Sequence, residues 1–112
     1  MTGAPMGDYT VISDTRTAET SLRLLRLAPG QEIRPHFHTA ATQVYVVLSG
    51  SVRIRLGDGT LESRPLDTVQ VPPRLVHGLE ANEPSVVLSI TVPPLDPEDQ
   101  HPAGPGEPSY GK

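Results

Sequence analysis

Apolar residues recur along this chain at every second position or in short solid runs, and Gly, Pro, Asp or Asn closes almost every run. That periodicity predicts strands, over Tyr9–Ser13, Ser21–Ala28, Gln43–Leu48, Val52–Leu56, Leu61–Arg64, Thr68–Val71, Val76–Glu80 and Val86–Val92. The alternation Val52-Arg53-Ile54-Arg55-Leu56 reads as a half-buried strand, and Asp58-Gly59 after it is a hairpin signal leading into Thr60–Arg64. Val44–Leu48 and Val86–Leu88 are apolar at consecutive positions, as in strands covered on both faces, within a sandwich or at a dimer seam. Only Thr17–Ala28 competes as a helix, through Leu22, Leu25 and Ala18; the neighbouring strands favour a strand there too. About eight short strands separated by turns imply an all-β sandwich or barrel.

Composition agrees. With only Phe37, Tyr9, Tyr45 and Tyr110 as aromatics and no Trp, the core rests on Val, Leu and Ile, residues that favour strands. Thirteen Pro and ten Gly among 112 residues cut any long helix. From Pro93 onward the chain holds six prolines and three glycines with few apolar residues. Residues 1–92 are therefore expected to form one domain. Residues 93–112 are expected to be a tail, disordered or lying as an arm on a surface, that adds little to the fold.

The net charge is −4, of which −3 lies in 93–112, because Asp96, Glu98, Asp99 and Glu107 face only Lys112. The body carries −1 and no basic stripe, which argues against nucleic-acid binding. The absence of cysteine excludes disulfides, thiolate metal sites and cysteine nucleophiles. MTGAPMGDYT lacks the features of a signal peptide, and no apolar run is long enough to span a bilayer, so a cytoplasmic protein without membrane partners is the expectation.

The chemistry centres on His36 and His38. Two apart, on a strand both imidazoles project to one face and offer half of a metal site. Gln43 at the start of the next strand and His77 on a later one are candidates to complete it. An HxH pair alone is as often a solvated feature as a ligand pair, and a lone histidine such as His77 is more often structural. By parity Tyr45 and Val47 share a face with Gln43, and Arg34 shares one with His36 if Pro35 leaves the strand intact. Tyr45 is a candidate proton or hydrogen-bond donor, against the plainer role of a core aromatic. Arg34 is a candidate partner for a substrate carboxylate or enolate, against a surface arginine. Ser89 and Thr91 line the same space if Ile90 and Val92 face outward. His101, in the tail, reads as solvated.

Taken together, Gly30-x5-His36-x-His38-x4-Gln43-x6-Gly50 resembles the first motif of the cupins, in which two His and usually a Glu bind metal. Leu66-Asp67-Thr-Val-Gln-Val-Pro72-x-Arg74-x2-His77 resembles the second, with Leu66 and Arg74 where the family usually has Gly, and Asn82 one place late. The resemblance covers residues 20–92 and implies a double-stranded β-helix of jelly-roll type. It also implies one divalent ion (Zn, Fe, Mn, Ni or Co) on His36, His38, Gln43 and His77. Gln43 in place of Glu keeps the site near +2, which favours Lewis-acid chemistry on a small oxygenated substrate: an isomerase, cyclase or lyase. The chain is similar to small three-His-one-Gln cupins, among them uronate-ring-opening enzymes and polyketide cyclases. The Asp-x-Phe and Arg of the uronate group are replaced here by Ser89, Thr91 and Leu95, so that substrate does not carry over. An iron-dependent dioxygenase and a non-catalytic metal- or ligand-binding cupin stay open. The doubly apolar strands lead to the expectation of a homodimer.

Overall fold

Each alternating run becomes a strand in the computed structural model, which describes residues 7–103. In chain order the strands are β1 (Thr10–Arg16), β2 (Ser21–Leu27), β3 (Glu32–Phe37), β4 (Thr42–Ser49) and β5 (Val52–Leu56). Then follow β6 (Gly59–Ser63), β7 (Thr68–Val71), β8 (His77–Ala81), β9 (Ser85–Val92) and the short β10 (His101–Pro102). Among the described residues the only helix is a 3-10 turn, Pro97–Asp99, capped by Asp96. The strands form two five-stranded antiparallel sheets, β1-β2-β9-β4-β7 and β10-β3-β8-β5-β6, the double-stranded β-helix of the jelly-roll class. The segment that competed as a helix is β2, paired with both β1 and β9.

Register sorts the interior into two halves. Across the first sheet, Leu25 pairs with Val87 and Val87 with Val47, while in the second Ile33 pairs with Leu79 and Leu79 with Ile54. All six are buried, and with Leu27, Val52 and Ala81 they make the apolar core. Burial of each large aliphatic side chain contributes roughly 1.5–3 kcal/mol. Two steps further along the same strands the inward positions turn polar: Arg23, Ser89 and Tyr45 share one row, Thr91 and Gln43 the next. On the facing sheet His36 pairs with His77. One half of the barrel is thus an aliphatic plug and the other a polar chamber.

Two glycines permit this closure. Gly50 has φ +81, and a Cβ there would lie 2.3 Å from the Pro84 carbonyl oxygen and 2.7 Å from the Ser85 Cα, so the β4–β5 turn seats directly on the start of β9. Gly78 lets β8 approach the distorted part of β3, where a Cβ would meet the Ile33 carbonyl oxygen at 2.7 Å. Leu66 and Arg74, which stand where the second motif favours Gly, keep the conformation glycine would adopt, at φ 77 and 73. Each costs of order 1 kcal/mol or more. The turn at Arg74 is secured by its N–H, which donates to the His38 carbonyl at 2.6 Å.

Over residues 93–103 the tail lies as an arm against the barrel. The Leu95 N–H donates to Ser21 Oγ, the Arg16 guanidinium to the Leu95 carbonyl, and the Ala103 N–H to the Pro35 carbonyl. β10 adds to the edge of β3, and His101 stacks on Phe37 at 5.0 Å while its Nε2 lies 3.1 Å from Asp99 Oδ1. Few apolar residues are needed to dock a segment whose main chain finds partners along a sheet edge. The expectation for 104–112 lies outside the described residues.

Candidate metal centre

β3 is where strand parity breaks. Pro35 cannot donate to a ladder, and the pairing with β8 shifts between Ile33 and His36. Ile33 and His36, three apart, both point inward, while Arg34 between them is exposed. The face shared by Arg34 and His36 therefore does not form. The Arg34 main chain still reaches the site, its carbonyl accepting from His36 Nδ1–H at 2.7 Å. Beyond the bulge the alternation resumes, and His38 is buried on the same side as His36.

His77 opens β8 opposite His36, and the three rings pack with centroids 4.3–5.3 Å apart. One nitrogen from each lies within 4.8 Å of the others. The tautomers follow from the opposite edges. His36 Nδ1 faces the Arg34 carbonyl, His38 Nδ1 the Asp99 carbonyl at 2.8 Å and His77 Nδ1 the Leu75 carbonyl at 2.9 Å. A carbonyl only accepts, so each Nδ1 carries a proton and the Nε2 of each neutral ring presents a lone pair. Burial lowers the His36 pKa to about 4, assisted by the nearby His38 and opposed by its carbonyl partner. Burial, with His36 and His38 alongside, also lowers that of His77. Both rings are neutral at pH 7.

Gln43 completes the convergence. Its amide nitrogen donates to Ser89 Oγ at 2.7 Å, which turns Oε1 toward the histidines, 2.7 Å from His77 Nε2 and 3.1 Å from His38 Nε2. Where the rings are neutral with Nδ1 protonated, Nε2 lone pairs converge with the amide oxygen, an arrangement that a cation among them satisfies. The residues fit a divalent ion: three imidazoles and an amide oxygen are ordinary ligands for zinc and its neighbours. At about 2.0–2.1 Å per nitrogen such an ion needs only small ring adjustments. The three carbonyls that hold the Nδ1 protons are the outer contacts such a site requires.

A cavity of about 310 Å³, its open mouth included, adjoins the histidines; Tyr45 and Ser89 line it, as do Arg23 from β2 and Leu95 and Gln100 from the tail. Tyr45 is fully buried, and burial pushes its phenol well above the usual range, so it stays protonated. Its hydroxyl has no hydrogen-bond partner among the described residues. Thr91 is buried too, with Val92 exposed, as the parity argument required.

Sequence reasoning missed two contributors. Arg23 lies between Ser21 and Leu25 on the inward face of β2, and strand parity with those buried neighbours was the available signal. Asp99 had none. Burial opposes its ionisation, but the Thr39 hydroxyl, the N–H groups of Thr39 and Ala40 and His101 together hold the carboxyl well below the usual range. That clamp fixes the carbonyl that orients His38.

A family model described as the cupin domain matches residues 23–91. Mannose-1-phosphate guanylyltransferase RfbM of Salmonella typhimurium is 28% identical over 76 residues, covering 68% of this chain and 15% of that protein. The uncharacterized protein MJ1618 of Methanocaldococcus jannaschii is 29% identical over 72 residues, 62% of this chain and 58% of its own length. The chain thus spans less than two thirds of either relative. Among solved structures, TT1209 from Thermus thermophilus superposes with a TM-score of 0.74 at 26% identity, covering 79% of this chain and 86% of that one. KdgF from Halomonas sp. superposes with a TM-score of 0.70 at 23% identity, covering 80% and 82%, a likeness of fold alone.

Proposed function

The chain belongs to the cupin domain family, and on that premise we propose that it binds one divalent metal ion and uses it as a Lewis acid on a small oxygenated substrate. His36, His38, His77 and Gln43 would hold the ion. The observation that carries this is the meeting of three imidazoles and Gln43 Oε1 in a buried chamber. Bound there, the ion supplies polarisation of a carbonyl or enol oxygen. Imidazole and amide are neutral ligand types, and none of the described residues lining the cavity is Asp or Glu, so no carboxylate among them offsets the charge of the ion. That environment supports isomerase, cyclase or lyase chemistry over oxidation of the metal. Within it the protonated Tyr45 hydroxyl donates to a substrate oxygen, and Ser89 keeps the Gln43 amide oriented.

Proton exchange tests the reading without a known substrate. Zinc-loaded protein under argon should promote solvent-deuterium exchange next to the carbonyl of pyruvate and 2-oxobutanoate, followed by proton NMR. The Gln43→Glu variant should retain zinc and exchange more slowly, since the added negative charge weakens the electrophile. Turnover that needs iron and consumes oxygen would assign a dioxygenase instead, and binding without exchange would assign ligand capture.

We also propose a homodimer through the outer face of the first sheet. Register sets Leu22 beside Ile90 and Val44, and Leu24 beside Leu88 and Val46. Leu22 and Val92 are exposed, and the rest of this face is only partly covered. A contiguous apolar face of this kind is uncommon on a monomer. Light scattering at micromolar concentration should return twice the chain mass of 12.0 kDa; a monomer mass there overturns the assembly.

A further inference from the structure

Among the described residues Arg23 is the one arginine or lysine lining the cavity beside the histidines, and nothing in the chemistry described above uses it. It enters from β2, in the row that continues through Ser89 to Tyr45. Its Nε is buried and has no hydrogen-bond partner among the described residues. The nearest carboxylate, Asp14 Oδ2 on the neighbouring strand, stands 3.4 Å away and is about half exposed at 48%, too long for a well-formed hydrogen bond. A desolvated guanidinium N–H without an acceptor is costly. A ligand oxygen is the natural acceptor, because Tyr45, the other unpartnered polar group of the same cavity, is also a donor in its protonated form. A chamber with neutral ligand types at one wall and, at another, a guanidinium whose ion pair with half-exposed Asp14 is long favours an anionic group.

We propose that Arg23 is the specificity-determining residue of this cavity, binding a carboxylate that lies apart from the ligand oxygens presented to the histidines. The ligand class is then a small hydroxy- or oxo-acid carrying an additional carboxylate. The assignment rests on the metal reading for the orientation of the ligand, with the histidine end and the arginine end holding separate groups. Asp14 tempers the site: it lowers the local positive potential in the free protein and competes for the guanidinium.

Malate and lactate make the comparison, since both offer a 2-hydroxy acid and only malate has a second carboxylate. Calorimetric titration of the cobalt-loaded full chain should show malate binding about tenfold tighter than lactate, the worth of one charge-assisted hydrogen bond. Arg23→Gln should erase the difference by weakening malate alone, and Arg23→Lys should restore part of it. Asp14→Asn, at an exposed position that leaves the fold undisturbed, should tighten malate about two- to fivefold. Equal affinities in the unaltered protein, or a preference for malate that survives Arg23→Gln, overturns the proposal. Cobalt uptake, read from its visible absorption on the same samples, judges the metal reading separately. If cobalt fails to bind, the same titrations on metal-free protein still decide Arg23: dependence of malate affinity on it keeps the anion site while the metal reading falls.

Discussion

His77→Ala leaves the protein almost without metal. The imidazole is fully buried and is one of the three histidines proposed to hold the ion, and among the described residues no further histidine lines the cavity to replace it. Loss of an outer contact to a ligand typically costs about 10–100-fold in metal affinity, so loss of the ligand itself should exceed that. Competition for zinc against a chelator, followed by metal analysis of the desalted protein, measures the change. His36→Ala and His38→Ala should behave alike. His101→Ala should keep most of its zinc, because that ring stacks on Phe37 outside the cluster and Thr39 and Ala40 still hold Asp99 without it. Zinc held equally well by His77→Ala would sink the metal site.

Truncation after Pro94 is expected to cost both stability and metal. It removes the acceptor of the Arg16 guanidinium, the Leu95–Ser21 and Ala103–Pro35 hydrogen bonds, and the Asp99 clamp on Thr39 and Ala40. Each bond contributes about 1 kcal/mol net, less where it is exposed. A loss of even about 2 kcal/mol lowers the melting temperature of a domain of this size by roughly 10 °C. The same cut takes away the Asp99 carbonyl that receives the His38 Nδ1 proton, and zinc affinity should fall by about tenfold or more. Truncation after Ala103 is the control and should change neither, since the contacts named here all lie within residues up to 103. If the protein cut after Pro94 melts with the full chain and keeps its zinc, the segment is merely an ornament on the barrel.

The difference between these two predictions reflects how information is carried by the chain. The first two converging histidines were legible because strand geometry is local: His36 and His38, two apart, share a face wherever the backbone stays extended. The spacing to Gln43 and His77 matched a family pattern. Alternation likewise located most strands, since a half-buried sheet imposes period two on side-chain polarity. Arg34 was misplaced where that rule fails: the irregularity at Pro35 adds a residue to β3 and turns the side chain outward.

By itself, then, the sequence determined the all-β class, eight of the ten strands among the described residues and the shared face of His36 and His38 through short-range pattern, while the resemblance to a family added Gln43 and His77. Tertiary structure decided which nitrogen of each histidine carries the proton, because the deciding carbonyls belong in part to distant segments, Asp99 being 61 residues from His38. It also turned the Gln43 amide through Ser89, 46 residues away, and brought Arg23 into the same chamber. Hydrogen bonds of that span leave no periodic trace along a chain. They exist only once two sheets have closed around a common interior.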